Sequence, residues 1–224
     1  MEKDVETSII LPCLNEEQGV GFCIDKIKKV IEQNQINAEI IVVDNGSVDN
    51  SCKIIKGKNV NLILQPKKGY GNAYLSGIES AKGNLLIMGD SDGSYDFSEI
   101  PKFLSELKNG NDFVIGNRFN KIENRAMPFL HRYIGNPILR MMLRAHGLKI
   151  NEVCTGFIGV KKEKILEMNL KEQGMEFSSE ILTKAVQNDL RIKEIPITYH
   201  KRFGESKLRT FRDGFRHFKF LVGF

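Results

Sequence analysis

The fold prediction for this chain starts from residues 84–96, which read NLLIMGDSDGSYD. The apolar run Asn84–Met88 predicts a short buried strand, and Asp90, Asp92 and Asp96 follow where that strand ends. Carboxylates this close together repel one another unless a cation or a cationic ligand neutralises them. Because open α/β sheets bind ligands at the carboxyl ends of their strands, the cluster predicts a site for a divalent metal and phosphate. The alternative is a solvated acidic turn.

The segments on either side alternate between strand and helix patterns. Further strands are predicted at Ser8–Pro12, Glu39–Asp44, Val60–Leu64 and Asp112–Gly116. Asn15 is predicted to cap the first helix, which continues to Gln33. This alternation predicts an α/β fold with a single doubly wound, mainly parallel sheet flanked by helices. The loops Pro12–Glu16, Asp44–Ser47 and Asp90–Asp92 should therefore meet at one rim of the sheet.

Charge is distributed unevenly along the 224 residues, whose formal net charge is +5. Residues 1–116 contain 12 Lys and Arg against 17 Asp and Glu, whereas residues 117–224 contain 21 against 11. An acidic first half suits a metal site, and a basic second half suits an anionic ligand or a membrane surface. No apolar run reaches the roughly 18 residues of a membrane span, and MEKDVETS at the start lacks the apolar core of a signal peptide. The four cysteines show no CxxC pattern, which favours reduced thiols in a cytosolic setting over a zinc site.

The glycine pattern disfavours two common classes of nucleotide-binding protein. The turn after the first strand reads Asn15-Glu16-Glu17 rather than GxGxxG, which argues against a dinucleotide-dependent oxidoreductase. No GxxxxGK[ST] motif is present, which excludes a P-loop. A nucleic-acid-binding module is also disfavoured, because acids beside the binding rim would repel phosphates.

Nine short motifs carry a resemblance to a known family. The runs IILPCLNEE, IIVVDNGSVDNS, KKGYGNAYLSG and DSDGSYDF resemble the pattern of glycosyltransferase family 2, which has the GT-A fold. The later runs IGNRF, HRYIGNP, EVCTGF, GMEFSSEI and IPITYHKRFGESKL resemble the dolichyl- or polyprenyl-phosphate hexose synthases, which transfer mannose or glucose. The resemblance implies a GT-A domain over residues 1–208, with a nucleotide-binding half at 1–116 and an acceptor half at 117–208. An amphipathic C-terminal helix at 209–224 would follow.

The resemblance also implies a reaction and the residues that bind its donor. The reaction is metal-dependent, inverting transfer of a hexose from a UDP- or GDP-linked sugar to a polyprenyl or dolichyl phosphate. Asp90 and Asp92 would hold Mg²⁺ or Mn²⁺ against the diphosphate, and Asp44 would bind the base or the ribose. Ser94 stands where the dolichyl-phosphate mannose enzymes have a glutamine metal ligand, so a hydroxyl or a water would replace that ligand. The nucleotide-binding set implied by position is Pro12, Leu14, Asn15, Glu16, Asp44, Lys68, Asp90 and Ser91.

Basic residues of the second half align with the family's acceptor and closing segments. Arg118 and Arg132 would grip the acceptor phosphate, and Asn136 replaces the family's serine nearby. Arg202, Ser206 and Lys207 belong to the segment that closes over the diphosphate. The implied catalytic set is Asp92, Arg118, Arg132 and Arg202.

The nature of the acceptor decides whether a catalytic base is needed. A lipid phosphate oxygen is already anionic at neutral pH, so a phosphate acceptor needs none. The nearest alternative is a family 2 enzyme with a sugar hydroxyl acceptor in glycan or polysaccharide synthesis, for which Glu152 or Glu180 could serve as base. Glu180 is otherwise expected to be structural or to contact the sugar, and Glu176 is expected near a helix start.

The C-terminal pattern indicates contact with a membrane surface. Phe211, Phe215, Phe218 and Val222 recur at helical spacing among basic residues, which is typical of an interfacial helix. A second amphipathic helix is predicted to begin near Asn136. The alternative is that these helices simply pack on the domain. We therefore expect a peripheral enzyme on the cytoplasmic face of a membrane, with no nucleic acid and no obligate protein partner, and keep a non-catalytic membrane-binding module as the remote alternative.

Overall fold

Among the residues that the structure describes, seven strands form one central sheet, with helices on both of its faces. The computed structural model describes residues 4–123, 126, 136–145, 147, 150–205 and 210–223. The strands are β1 (Thr7–Cys13), β2 (Ala38–Asp44), β3 (Asn61–Leu64), β4 (Leu85–Met88), β5 (Phe113–Ile122), β6 (Ile158–Lys161) and β7 (Ile192–Tyr199). The helices are α1 (Val20–Gln33), α2 (Ser51–Lys56), α3 (Tyr70–Ser80), α4 (Ile100–Lys108), α5 (Asn136–Ala145), α6 (Lys162–Glu167), α7 (Phe177–Gln187) and α8 (Thr210–Val222). The predicted fold class is confirmed.

The order of strands across the sheet is β3-β2-β1-β4-β6-β5-β7. All neighbouring pairs are parallel except those of β6, which runs antiparallel to both β4 and β5. Because β1, β2 and β4 are parallel neighbours, their carboxyl ends reach the same rim. The register of β1 and β2 places Cys13 opposite Asp44 at that rim.

The central strands β1, β2 and β4 are largely buried, which explains why each contains a continuous apolar run. Ile9 and Leu11 of β1 belong to a core cluster that includes residues of α1 and α4. Ile10, between them, belongs to the opposite cluster, with residues of α3 and α7. Successive side chains of a strand point to opposite faces, so β1 contributes to both cores and fixes the centre of the fold.

Two local predictions were wrong. Helix α1 begins at Val20 after Gly19, and Asn15 does not cap it. Asn15 has a φ of 52°, and its side-chain oxygen accepts a hydrogen bond from the amide of Val48 instead. Strand β5 continues beyond Gly116 to Ile122, because its pairing with β7 resumes after a bulge.

The two predicted amphipathic helices are present as α5 and α8. Phe215 and Phe218 of α8 are exposed, whereas Asp213 and His217 are buried. His217 Nδ1 lies 2.8 Å from the Ser179 hydroxyl of α7, so α8 is attached to the domain by a polar contact. No helix in the described part of the chain has the length and apolar character to cross a bilayer.

Candidate active site

The loops after β1, β2 and β4 meet at one rim, as predicted. The Ser91 hydroxyl donates to the carbonyl of Pro12 at 2.6 Å, which joins the acidic loop to the end of β1. The Asn15 amide donates to the Ser47 hydroxyl at 2.8 Å, which joins the loops after β1 and β2. Leu14 is partly buried between these contacts. Three of the positions assigned to nucleotide binding, Pro12, Asn15 and Ser91, therefore take part in hydrogen bonds between these loops.

Asp44 is the last residue of β2, and its two carboxylate oxygens differ in their hydrogen bonding. Its Oδ2 accepts from the amides of Gly46 and Ser47, each at 3.1 Å, so the side chain shapes the turn that follows it. Its Oδ1 is buried and has no hydrogen-bond partner among the described residues. An unpaired buried acceptor is costly, so this oxygen is suited to receive a hydroxyl or an N–H of a ligand.

Asn45, which the sequence reasoning missed, connects the loops after β2 and β3. Its side-chain amide donates to the carbonyls of Gln65 and Lys67 at 3.0 and 2.8 Å, and its oxygen accepts from the amide of Gly69 at 2.6 Å. Lys68, predicted near the nucleotide, is exposed in this loop. Asn45 directly follows the predicted site residue Asp44, and this adjacency was the available signal.

The start of α3 is covered by residues 171–174, which approach it too closely for a side chain at Gly71. A Cβ on Gly71 would lie 2.0 Å from the carbonyl oxygen of Glu172. Glu180 fixes this covering loop, because its carboxylate accepts from the amides of Lys171 and Glu172 and pairs with Lys184 at 3.0 Å. Both oxygens of Glu180 are thus occupied, which supports the structural role expected for it and disfavours it as a base.

The acidic loop holds its two carboxylates in different ways. Asp92 Oδ1 accepts from both the amide and the hydroxyl of Ser94, at 2.9 and 2.6 Å. Ser94 therefore orients Asp92. Asp90 Oδ1 accepts from the hydroxyl of Tyr70 at 3.1 Å. Tyr70 was not predicted as a site residue, although it lies within the quoted motif KKGYGNAYLSG.

The electrostatics of the acid pair favour a cation. Desolvation and the neighbouring charge of Asp92 raise the pKa of Asp90 to about 7, against the hydrogen bond from Tyr70 and the charges of Arg202 and Arg118. Desolvation raises the pKa of Tyr70 well above its usual value, so its hydroxyl remains a donor. No group of three or more His, Cys, Asp or Glu side chains in the described ranges is arranged to hold a metal. The two carboxylates fit a hard divalent cation whose remaining ligands are phosphate or water oxygens.

Arg202 bridges the acidic loop and the loop after β1. Its Nη1 lies 3.2 Å from Asp92 Oδ2, and its Nη2 donates to Glu16 Oε1 at 2.9 Å. Its Nε is buried without a hydrogen-bond partner within the described part of the chain. This guanidinium therefore adds positive charge at the rim and keeps one donor for a further oxygen.

The segment that carries Arg202 is fixed to the acidic loop through the backbone. The amides of His200 and Phe203 donate to the carbonyls of Ser94 and Asp92, each at 2.8 Å. The Phe203 ring covers Gly93, whose φ is 80° and where a Cβ would lie 2.4 Å from the ring. Only glycine combines that backbone conformation with that close approach.

Arg118, predicted to grip the acceptor phosphate, is paired with Glu152. Its Nε and Nη2 donate to the two oxygens of Glu152, each at 2.8 Å, and the guanidinium lies over the Tyr199 ring with Cζ 5.1 Å from the centroid. Burial alone would lower the pKa of Arg118, but the charge of Glu152 raises it, so the guanidinium stays protonated. Glu152 is fully buried with both oxygens occupied, which disfavours it as a base for a hydroxyl acceptor.

The remaining predicted acceptor and closing residues are only partly described. Asn136 is buried at the first position of α5. Arg132, Ser206 and Lys207 lie outside the described residues. Glu176 directly precedes α7, where a helix start was expected.

Comparisons with known proteins give a family and several relatives for this chain. The family model for glycosyl transferase family 2 matches residues 8–167. The chain is 39% identical over 219 residues to the low-salt glycan biosynthesis hexosyltransferase Agl6 of Haloferax volcanii, covering 96% of this chain and 52% of that protein. The chain thus spans about half the length of this relative. It is 28% identical over 209 residues to the dolichyl-phosphate hexose transferase of the same organism, covering 93% of this chain and 89% of that one.

Solved structures show the same fold at low sequence identity. Glucosyl-3-phosphoglycerate synthase from Mycobacterium tuberculosis, crystallised with Mn²⁺, UDP and glucosyl-3-phosphoglycerate, superposes with a TM-score of 0.78. That comparison has 17% sequence identity and covers 97% of this chain and 79% of the synthase. A second crystal of that synthase contains Mn²⁺, UDP-glucose and glycerol 3-phosphate, again with a TM-score of 0.78.

Proposed function

Because this chain belongs to glycosyl transferase family 2 and is a glycosyltransferase, we propose that it moves a hexose from a UDP- or GDP-linked sugar to a polyprenyl or dolichyl phosphate. The arrangement of Asp44, Asp90, Asp92 and Arg202 at one rim carries this proposal, because it offers an acceptor for the nucleoside, two carboxylates for a cation and a guanidinium for the diphosphate. A relative named dolichyl-phosphate hexose transferase supports the acceptor class.

The donor half of the reaction follows from these four side chains. Asp90 and Asp92 would hold Mg²⁺ or Mn²⁺, which when bound would neutralise charge on the leaving diphosphate. Asp44 Oδ1 would accept from the base or the ribose. Arg202 would bind a diphosphate oxygen through the donor that has no partner in the described structure. Ser94 keeps Asp92 in the orientation that this arrangement needs.

The acceptor half needs an anionic nucleophile and no base. A lipid phosphate oxygen would attack the anomeric carbon as the bond from that carbon to the diphosphate breaks, so a single displacement inverts the configuration. Arg118, Arg132 and Asn136 are the residues proposed to bind the phosphate. A sugar hydroxyl acceptor is less well supported, because Glu152 and Glu180 have no free carboxylate oxygen to act as base.

Thermal stabilisation by nucleotides tests the proposed donor. We expect UDP or GDP to raise the unfolding temperature only when Mn²⁺ is present, since the diphosphate and the carboxylates would share the metal. Labelled UDP-glucose, UDP-N-acetylglucosamine and GDP-mannose, each incubated with a membrane lipid extract, then identify the sugar by transfer to the organic phase. No shift with any nucleoside diphosphate would refute the transferase reaction proposed here.

We also propose that α5 and α8 bring the enzyme to the cytoplasmic face of a membrane as a peripheral protein. The two helices contact each other. Each helix exposes apolar side chains, which are Ile138 and Met141 on α5 and Phe215 and Phe218 on α8. Basic residues lie near them in the sequence: Arg144 on α5, and Arg212, Arg216 and Lys219 on α8. Apolar groups suit the acyl region and each basic residue contributes about 1 kcal/mol near anionic headgroups, so an anionic lipid surface fits both features.

The double variant Phe215→Ser/Phe218→Ser is expected to bind vesicles at least about 10-fold more weakly, because each phenylalanine would lose its burial in lipid. Co-sedimentation with vesicles containing about 30% phosphatidylglycerol, an anionic lipid that gives them a negative surface potential, measures this. Leu166→Ser removes an exposed apolar side chain from α6 and serves as the matched control. Equal sedimentation of the double variant and the unaltered protein would show that α8 does not dock on lipid.

A further inference from the structure

Arg118 is held by a carboxylate that takes no part in the proposed reaction. Arg118 is 7% exposed and Glu152 is 0% exposed, and two hydrogen bonds of 2.8 Å join them. Given the proposed function, in which Arg118 binds the acceptor phosphate, we propose that Glu152 and Glu194 are positioning residues that fix the direction of the Arg118 guanidinium. Neither residue would touch a substrate.

Glu152 is itself held in one geometry. Its Oε1 also accepts from the amides of Val153 and Cys154, at 3.0 and 2.9 Å, and its Oε2 also accepts from the amide of Arg118 at 3.3 Å. Five donors therefore surround one buried carboxylate. A buried ionic network that is fully hydrogen-bonded has little freedom to rearrange, so the guanidinium plane is fixed as well.

Glu194, on the neighbouring strand β7, fixes the turn that carries Glu152. Its Oε1 accepts from the amides of Asn151 and Glu152, at 3.0 and 2.7 Å, and from the side chain of Asn117 at 3.1 Å. Asn117 is adjacent to Arg118 on β5. Glu194 thus connects both ends of the pair, since it holds the backbone of Glu152 and the residue before Arg118.

The carboxylates of Asp90 and Asp92 give a physical reason why Arg118 needs to be fixed by Glu152. The loop that follows Glu152 lies close to the acids, since a Cβ on Gly156 would be 3.0 Å from Asp90 Oδ2. An arginine without a partner at this position would be attracted to the donor carboxylates, as Arg202 is to Asp92. Glu152 therefore keeps Arg118 away from the acids and leaves them for the cation. The Tyr199 ring covers one face of the guanidinium and limits its movement further.

The substitution Glu152→Gln tests the proposal by separating acceptor use from donor binding. With farnesyl phosphate as acceptor, and labelled UDP-glucose and GDP-mannose as donors, we expect the acceptor KM to rise about 10- to 100-fold, because misdirected binding groups cost up to that factor. The dissociation constant of UDP or GDP with Mn²⁺, measured by calorimetry, should change less than about twofold, since the donor contacts remain.

Asp112→Asn is the matched control, because it alters a second carboxylate–arginine pair near the start of β5. Asp112 directly precedes β5 and accepts from Arg191 Nε and Nη2 at 2.9 and 3.0 Å, whereas Arg118 lies in the middle of that strand. We expect Asp112→Asn to lower the unfolding temperature and leave the acceptor KM unchanged. The proposal would be overturned if Glu152→Gln lowered the unfolding temperature as Asp112→Asn does and left the acceptor KM unchanged.

Glu194 supplies a test that does not depend on Glu152→Gln being folded. Glu194→Gln keeps an oxygen for the three neutral donors that reach Oε1 and loses the 3.3 Å bond from Asn151 Nδ2 to Oε2, so it should behave nearly like the unaltered protein. Glu194→Ala loses all four bonds and should raise the acceptor KM. The double variant Glu152→Gln/Arg118→Ala should be no worse than Arg118→Ala, since Glu152 acts through Arg118. Additive losses, or equal behaviour of the two Glu194 variants, would overturn the positioning role. Absence of any transfer by the unaltered protein would instead overturn the proposed function.

Discussion

Replacement of Asp92 by asparagine is expected to lower hexose transfer by about 1,000-fold or more while the protein remains folded. Ser94 holds Oδ1 of this carboxylate, and Arg202 Nη1 lies 3.2 Å from Oδ2. Asparagine keeps the shape of the side chain and an oxygen for Ser94, but it removes the negative charge that a divalent cation requires. Transfer rates, and titration of Mn²⁺ followed by electron paramagnetic resonance, measure the losses of turnover and of metal binding separately.

Asp96→Asn controls for a general effect of lost charge in the acidic loop. Asp96 lies four residues later, accepts from the amide of Ser98 at 3.0 Å and pairs with Lys26 at 3.0 Å, away from the contacts of Asp92. Its substitution should leave transfer and Mn²⁺ binding nearly unchanged. Transfer by Asp92→Asn at the rate of Asp96→Asn would refute the assignment of Asp92 to the metal.

Arg202→Met is expected to reduce kcat/KM by about 100-fold and to weaken the binding of the nucleoside diphosphate. Methionine preserves much of the apolar stem but removes the charge that lies between Glu16 and Asp92. Mn²⁺ alone should bind as tightly as before or more tightly, because Asp92 Oδ2 loses a competing cation. Calorimetry with Mn²⁺, and then with UDP or GDP in saturating Mn²⁺, separates the two effects.

Lys201→Met is the neighbouring control for this substitution. Lys201 is exposed, and its backbone amide donates to Glu123 Oε2 at 2.8 Å. The loss of its charge should have little effect on transfer, since a surface charge is screened. Weaker Mn²⁺ binding by Arg202→Met in the absence of nucleotide would contradict a competition between Arg202 and the metal.

The sheet and its binding rim could be predicted from the sequence because they depend on local patterns. Apolar runs identified β1 to β4, and the residues that end them, such as Asp44 and Asp90, followed from the rule for parallel strands. The antiparallel strand β6 was not predicted, because its place between β4 and β5 is set by pairing with strands far away in the sequence.

Local sequence patterns could not predict side-chain roles that depend on partners far away in the sequence. Asn15 has the sequence context of a helix cap, but a hydrogen bond from Val48, 33 residues away, uses its oxygen. Glu152 could be considered as a base only while its pairing with Arg118, 34 residues away, was unknown. In both cases a long-range contact outweighs a local preference, and no local pattern reports it.

The backbone bonds from His200 and Phe203 to the acidic loop have a consequence for folding. They join positions more than 100 residues apart, so the loop that carries Asp90 and Asp92 gains these bonds only after residues 200–203 have joined the fold. Contacts of high sequence separation form slowly, and they are missing from a nascent chain that is still being synthesised. A fragment ending at Gly116 would contain both acids but would lack the donors that shape their loop, so competence to bind the donor should be acquired late in translation.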